Sequence, residues 1–215
     1  MTWTKGQQRQ RSIACLPCVK PKLPTLGTWD ARELMPKERT RLRYPVYKSN
    51  ARRLAAALTA QLQNEMNLAG PQALDLTKVR FEAIDAQALE ACQHWEHPQF
   101  SWSEIHEWKA REPLALDIAI WFEEELCGLC FVNPNSSRRR IRIVRLEGRP
   151  KEAHPLKNRV AMLVIIVIDQ YAQLLGSQLI EVQEPLKGAI PMYQQLGFYF
   201  DADNRLVMAT GCPVS

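Results

Sequence analysis

Apolar residues recur every four positions between Leu54 and Met66, and a two-residue alternation begins at Val79. Four of them form one apolar stripe on a helix predicted at about 51–68: Leu54, Leu58, Leu62 and Met66. Ser49 and Asn50 offer an N-cap, and Gly70-Pro71 stops the helix. The stripe must pack on another surface. We expect it to pack on the rest of the chain, and the alternative is a partner subunit in a homodimer.

The alternation that begins at Val79 indicates a strand, and further elements follow it in a regular order. The predicted elements are a strand at 79–84, helices at 86–95 and 103–111, strands at 115–122, 126–132 and 140–146, a helix from 160 to Gly176, a strand at 179–183, a short helix closing on residues 193–198, and a strand or strand pair reaching Ala209. Hairpin-like strands followed by a crossover helix predict a mixed sheet in an α/β or α+β layer fold.

The run from Val160 to Ile168 is apolar and rich in β-branched residues. By itself such a run also fits a buried strand. The apolar and small-residue pattern continues through Tyr171 and Leu175 to Gly176, which favours a buried helix that ends at a glycine.

Positive charge is concentrated at the start of the chain. Residues 1–50 hold 11 Lys/Arg and 3 Asp/Glu, whereas the remaining residues hold 17 and 20. The sequence therefore predicts three parts: a basic, Pro/Arg-rich, irregular or disordered extension at 1–48, a connecting helix at 49–78, and a folded domain at 79–215. A solvated tail is the simplest interpretation of the extension, and contact with nucleic acid or an acidic partner is the alternative.

Several classes of protein are disfavoured. The first 30 residues lack a secretory signal pattern, and the longest apolar run has nine residues, where a membrane span needs roughly 20. We therefore expect a soluble, cytoplasmic chain with no membrane partner. Six cysteines in 215 residues do not indicate a disulfide scaffold.

Two Cys-x-x-Cys pairs could in principle bind zinc, but their arrangement argues against it. The pairs at 15–18 and 127–130 are separated by 108 intervening residues, and strand residues three positions apart should point to opposite faces. We expect His94, His97 and His106 to lie on the surface or against helices, because no ligand spacing links them to other metal-binding residues. No metal site is predicted.

Two segments of the last third resemble the GNAT N-acetyltransferases, and the resemblance extends over about residues 79–209. The first segment, 154–161, stands where the family has Gln/Arg-x-x-Gly-x-Gly/Ala; both glycines are missing, and Lys157, Asn158 and Arg159 occupy the loop. The second, 189–198, is similar to the family's Ala-x-x-x-Tyr-x-x-x-Gly-Phe block, with Tyr193 as its tyrosine. Leu186 stands where many members have Asn.

The resemblance implies a GNAT-like acyl-CoA N-acyltransferase fold, a central twisted sheet flanked by helices, with acetyl-CoA as cosubstrate. The turn after the fourth strand would hold the pyrophosphate. The implied cofactor-binding residues are Leu146, Arg149, His154, Lys157, Asn158, Arg159 and Val160. A basic turn that leads into a helix N-terminus is independently suited to phosphate, and Lys157 and Arg159 add charge there.

The resemblance further implies transfer of the acetyl group to a primary amine of an unknown acceptor. Tyr193 would protonate the departing CoA thiolate, and a backbone N–H of the fourth strand would stabilise the oxyanion. For the general base we select Glu147, at the end of the fourth strand; a solvent-exposed glutamate without a role is the alternative.

Two other functions stay open on the sequence alone. A catalytically inactive GNAT-like module could bind a protein or nucleic-acid partner through the basic arm. A nucleic-acid-binding protein ranks third: the arginines of 138–145 could meet phosphates, but no aromatic residues for base stacking are interleaved with them.

Overall fold

A mixed β-sheet with helices on both faces organises the chain in the computed structural model, which describes residues 43–69, 74–150 and 153–211. The helices are α1 (Arg43–Ala69), α2 (Ala86–Gln93), α3 (Ile105–Arg111), α4 (Val160–Leu175) and α5 (Ile190–Gln195). The strands are β1 (Val79–Glu82), β2 (Leu116–Phe122), β3 (Glu125–Pro134), β4 (Arg140–Gly148), β5 (Leu179–Val182), β6 (Tyr199–Phe200) and β7 (Leu206–Ala209).

The strands lie in the order β1-β2-β3-β4-β5-β7-β6. All neighbouring pairs are antiparallel except β4 and β5, which run parallel because the crossover helix α4 connects them. The order of elements predicted from Val79 onwards and the mixed sheet are confirmed.

Helix α4 forms the centre of the core on one face of the sheet. Ten of its residues are buried, including the whole run Leu163–Ile168, so this part of the helix is apolar on every side. It ends at Gly176, whose φ of +73° is the left-handed conformation that glycine adopts most easily. The prediction of a helix rather than a strand is confirmed.

Helix α1 packs on α4 and β1, as expected, but through another face than the predicted stripe. Its fully covered positions are Ala51, Ala55, Thr59 and Gln63. Small side chains let the two helix backbones approach closely, and the Gln63 side chain accepts a hydrogen bond from the Leu76 N–H at 2.8 Å. The stripe lies along the flank of this contact: Leu62 and Met66 touch the core, whereas Leu58 is 37% exposed.

The start of α1 also differs from the prediction. The helix begins at Arg43, so the last six residues of the predicted irregular extension, 43–48, are helical. The rest of that extension lies outside the described residues, and the three-part division of the chain stays a prediction. No helix in the described ranges has the length and hydropathy needed to span a bilayer.

Two β-bulges interrupt the alternation of the central strands. Cys127 is an extra residue of β3 opposite Ile120 and Trp121, and Val144 is an extra residue of β4 opposite Phe131 and Val132. A bulge shifts every later side chain to the other face. Consequently Cys127 and Cys130 both belong to the cluster under α4, and the expectation that they point to opposite faces is wrong.

A buried carboxylate joins the helices of both faces. Asp117 of β2 accepts a hydrogen bond from Lys109 of α3 at 2.8 Å and from the Ile84 N–H at 2.8 Å. Arg52 of α1 reaches the same residue, donating to its carbonyl oxygen at 2.7 Å and lying 3.4 Å from its carboxylate. This network fixes α1 and α3 to one point of the sheet.

Replacing Asp117 with Asn should therefore destabilise the fold strongly. The change leaves two largely covered cations without their counter-charge, for which the expected loss is about 3–5 kcal/mol in the free energy of unfolding. Urea denaturation followed by circular dichroism measures it. The matched control is Glu107→Gln, because the Glu107–Arg111 pair is exposed and such pairs contribute at most about 1 kcal/mol. Equal midpoints for the two variants would contradict the assignment.

Candidate active site

The strands β4 and β5 separate part-way along the sheet. Their pairing runs from Arg140–Leu179 to Ile143–Val182 and ends with the Gln183 N–H donating to the Ile143 carbonyl at 3.0 Å. Beyond this point β4 continues to Gly148, whereas β5 has ended and Glu184 turns the chain away with a φ of +48°. A non-glycine residue in that conformation is uncommon, and such residues cluster at functional sites.

The separation opens a cavity of about 250 Å³, here called the cleft cavity. Its walls come from β4, from the segment after β5, from α5 and from the loop before α3. The lining residues are Gln99, Phe100, Ile143, Val144, Arg145, Leu146, Val182, Gln183, Glu184, Pro185, Leu186, Ala189 and Tyr193. Two predicted site residues, Leu146 and Tyr193, therefore lie in one cavity.

Tyr193 presents its ring to the cleft cavity from α5 and is only 6% exposed. It packs edge-on against Phe198 with ring centroids 5.3 Å apart, which accounts for the Tyr and Phe of the 189–198 block. Burial, with a smaller contribution from Cys130, raises the pKa of Tyr193 above its ordinary value. The phenol is therefore protonated at neutral pH and is able to donate a proton.

Glu147 is buried, with 7% of its surface exposed, so the alternative of a solvent-exposed strand end is wrong. Its carboxylate accepts hydrogen bonds from the Gln99 N–H at 2.5 Å, the Phe100 N–H at 3.4 Å and the Trp102 indole at 2.8 Å. Gln99 and Phe100 line the cleft cavity. Glu147 thus holds one wall of that cavity in place.

The N-terminus of α4 has backbone N–H donors without described acceptors and two exposed cations beside them. The N–H groups of Val160, Ala161 and Met162 have no acceptor among the described residues, and the N-cap residue Arg159 provides no side-chain cap. Lys157 and Arg159 are exposed here and form no ion pair within the described ranges. Backbone donors and the positive end of the helix dipole favour an anion at this position.

The turn before α4 is built without glycine. Asn158 has a φ of +64°, a conformation that Asn tolerates better than most residues. The Lys157 N–H donates to the His154 carbonyl at 3.0 Å, and the Arg159 N–H donates to the Leu156 carbonyl at 2.9 Å. The loop thus closes on itself and leaves the helix N–H groups for another partner.

Val160, which follows the turn directly, directs its side chain toward the sheet. Gly128 of β3 leaves room for it, because a methyl group at Gly128 would overlap Val160 Cγ1, whereas one at Gly148 of β4 would lie 3.5 Å from Cγ2, an ordinary contact. The valine side chain is turned toward the sheet, and the turn keeps its backbone donors.

Two other predicted cofactor-binding residues, Arg149 and His154, are respectively ion-paired and buried. Arg149 forms an ion pair with Glu125 at 2.9 Å. His154 is buried, and this burial lowers its pKa, with Glu125 opposing the shift and Arg149 and Lys157 adding to it. A neutral His154 supplies no positive charge, so the charge at the turn comes from Lys157 and Arg159.

Residues outside the motifs complete the cleft. Gln99, Phe100, Arg145 and Gln183 were not singled out as site residues by the sequence. Arg145 stacks on Phe100, with its guanidinium carbon 5.0 Å from the ring centroid. The only sequence signal for Arg145 was the basic run 138–145, which gave no indication of the face on which each arginine lies.

The described histidines and cysteines do not form a metal centre. No group of three His, Cys, Asp or Glu in the described ranges is close enough to hold a metal ion. His94, His97 and His106 are exposed, as expected. Burial raises the pKa of the Cys127 thiol to about 11, so it is protonated at neutral pH. Cys15 and Cys18 lie outside the described residues.

The fit between Val160 and Gly128 can be tested by a double-substitution cycle. Gly128→Ala should cost about 1–3 kcal/mol of unfolding free energy, the usual range for overpacking. Adding Val160→Ala removes the overlapping methyl groups, so the double variant should be more stable than Gly128→Ala alone. Gly188→Ala is the control, since no atom lies within 4 Å of its added methyl. Additive losses in the cycle would contradict this packing.

No protein-family model matches the sequence, and no curated protein matches it. Among solved structures, it is similar to the ribosomal-protein-S18-alanine N-acetyltransferase from Escherichia coli, with 15% identity, a TM-score of 0.45 and coverage of 63% of this chain and 96% of that one. It is also similar to the aminoglycoside 6'-N-acetyltransferase from Enterococcus faecium, with 12% identity, a TM-score of 0.45 and coverage of 63% and 99%. A third is an acetyltransferase from Bacillus subtilis in complex with CoA, with 23% identity, a TM-score of 0.44 and coverage of 58% and 79%.

These three proteins are acetyltransferases. The described part of this chain has the element order predicted from the sequence, and its crossover helix α4 connects the parallel strands β4 and β5. Its architecture is a seven-stranded mixed sheet flanked by helices, an α+β layer fold.

Proposed function

We propose that this protein is an N-acyltransferase that moves an acetyl group from acetyl-CoA to a primary amine. One observation supports this most directly. A cavity opened by the separation of two parallel strands is lined by Tyr193, and the helix that joins those strands begins, next to Lys157 and Arg159, with N–H donors that have no acceptor among the described residues. An anionic cosubstrate with a reactive end fits both features.

The phosphates of the cosubstrate would lie at the start of α4. The N–H groups of 160–162 would donate to the pyrophosphate oxygens, and Lys157 and Arg159 would add charge-assisted contacts. Because Val160 packs into the notch left by Gly128 and Gly148, its side chain does not obstruct this approach.

The arm of the cosubstrate that carries the thioester would follow β4. Past Ile143, the edge of β4 that faced β5 has no described strand beside it. The amide groups of the pantetheine arm are suitable partners for such an edge, since an unpaired strand edge presents backbone donors and acceptors. This path leads past Leu146 into the cleft cavity.

The chemistry would proceed by direct attack. The amine nitrogen bonds to the thioester carbonyl carbon, a backbone N–H of β4 stabilises the oxyanion, and the carbon–sulfur bond then breaks. Tyr193 gives its proton to the leaving sulfur and is reprotonated from solvent. Burial raises the pKa of Tyr193, but a thiolate formed in the same dry cleft also becomes more basic, because desolvation disfavours both anions.

Glu147 stays the proposed general base. Three of the roughly four acceptor positions of its carboxylate are filled by described donors. We assign the remaining position to a water molecule that would carry the proton from the attacking amine. The same carboxylate keeps Gln99 and Phe100 at the cavity wall, so it would both position that wall and accept the proton.

Binding of acetyl-CoA should depend on the two exposed cations of the turn. The double substitution Lys157→Gln/Arg159→Gln should weaken binding about a hundredfold, since each charge-assisted hydrogen bond to phosphate contributes roughly 1.5 kcal/mol, which is about tenfold. Isothermal titration of the full chain at two salt concentrations measures this loss. It should shrink at high salt.

The control for this experiment is Arg139→Gln, which removes one charge from the exposed turn before β4, at the opposite end of that strand. The affinity of the Arg139→Gln variant for acetyl-CoA should equal that of the unmodified chain. If the unmodified chain gives no heat and no thermal shift with millimolar acetyl-CoA, the proposal fails and the inactive binding module becomes the better description.

Tyr193→Phe should separate catalysis from binding. If Tyr193 protonates the thiolate, kcat should fall by roughly 10²–10⁴-fold, the range expected for losing a general acid. Acetyl-CoA affinity should stay nearly constant, because the hydroxyl acts mainly in the transition state. The assay is free-thiol release with an amine acceptor, and acetyl-CoA titration serves as the folding control. An equally active Phe variant would remove Tyr193 from the mechanism.

A further inference from the structure

A second cavity lies on the α3 side of β4 and shares a wall with the cleft cavity. It has a volume of about 340 Å³ and is here called the α3-side cavity. Val144, Arg145 and Gln183 line both cavities. A molecule in the α3-side cavity would therefore lie across the same stretch of β4 from the proposed thioester, which is the position that an attacking amine needs.

Two arginines of β4 face the α3-side cavity because of the bulge. Arg142 and Arg145 are three residues apart and would point to opposite faces in a regular strand. The extra residue Val144 restores them to the same side, and both line the cavity. The bulge thus places two arginines in one wall, and the Arg145 guanidinium there also donates to the Val144 carbonyl at 2.9 Å and stacks on Phe100.

Neither Arg142 nor Arg145 has a carboxylate partner within the described ranges. Other arginines of this region are paired: Arg140 lies 2.9 Å from Glu181, and Arg111 lies 2.6 Å from Glu107. The Arg142 Nε is buried and has no hydrogen-bond partner among the described residues. A half-covered cation without a counter-charge is costly, so this wall favours an anion.

The rest of the α3-side cavity is apolar in its floor and acidic at its rim. Trp108 and Phe131 are in contact there, with ring centroids 5.6 Å apart. Asn133 is 9% exposed, and its Oδ1 is buried with no partner in the described chain. Glu104 and Glu112 are exposed and also line the cavity. The cavity therefore offers an anion site, an apolar surface and carboxylates suited to an ammonium group.

We propose that the acceptor is a small amine that also carries an anionic group, of the amino-acid class, and that Arg142 and Arg145 bind this anionic group. The inference rests on the proposed acyl transfer. The volume suits a small molecule with an apolar side chain. Polyamines and aminoglycosides are disfavoured, because two unpaired guanidinium groups repel a polycation.

The test uses matched pairs of amines that differ in one charge. The full chain, saturated with CoA, is titrated with L-phenylalanine and L-phenylalaninamide, with L-leucine and L-leucinamide, and with O-phosphoethanolamine and ethanolamine. The anionic member of at least one pair should bind tenfold or more tightly. The affinity ratio between the anionic and the neutral amine is then compared for the carboxylate pairs and the phosphate pair. The larger ratio identifies the anionic group that the site prefers. Calorimetry reports binding without any need for turnover.

The arginines should account for that preference. Arg142→Gln should remove most of the difference within the pair, and Arg142→Lys should keep part of it, because lysine retains the charge but not the forked geometry. In acetyl transfer, Arg142→Gln should raise KM and leave kcat nearly unchanged. Arg139→Gln, the same change on an exposed residue outside the cavity, is the control and should bind like the unmodified chain.

Three outcomes overturn or separate the proposals. Equal binding of the anionic and neutral members in all pairs, or a preference that survives Arg142→Gln combined with Arg145→Gln, overturns the anionic acceptor. Acetylation of spermidine but of no anionic amine also overturns it, while leaving acyl transfer intact. The titrations are repeated without CoA: if anionic amines then bind through Arg142 and acetyl-CoA itself does not bind, the ligand class stands and the proposed acyl transfer fails.

Discussion

The separation of β4 from β5 is the constraint on which the cleft cavity depends, and the bulge of β4 at the same place turns Arg142 and Arg145 toward the α3-side cavity. The two strands are held together only as far as Ile143 and Val182, and the bulge at Val144 and the left-handed Glu184 then direct them apart. An open strand edge inside a sheet leaves backbone donors and acceptors without partners, which costs free energy unless a ligand pairs with them. Binding of a ligand therefore explains the separation of the two strands better than packing of the core does.

The surrounding structure keeps this opening in place. On one face, α4 fills the core with ten buried residues and fits Val160 against two glycines of the sheet. On the other face, Glu147 fixes residues 99–102, and Asp117 anchors α3 together with α1. Both carboxylates are buried and satisfied by several donors, an arrangement that is stabilising only when every partner is present.

The sequence was sufficient for the order of elements but not for the faces of the strands. Periodicity and turn residues located each helix and strand from Val79 onwards, because local patterns carry that information. The bulges at Cys127 and Val144 depend on pairing with neighbouring strands, and no local pattern marks them. For this reason the orientation of Cys130 was predicted wrongly, and Arg142 and Arg145 were not recognised as neighbours. The buried face of α1 was missed because it is built from small and polar residues rather than from leucines.

The motif around Tyr193 and the turn before α4 illustrate two kinds of sequence signal. Tyr193, Gly197 and Phe198 form a local unit, so the block could be recognised directly, and Phe198 packs on the tyrosine ring. The turn lacks both glycines of the motif, and the glycine that accommodates Val160, Gly128, lies 32 positions earlier in the chain. A local motif therefore does not reveal the contact that turns this valine toward the sheet. The chemistry of a site is best judged from its free donors and charges, here the N–H groups of 160–162 with Lys157 and Arg159, and less from agreement with a pattern.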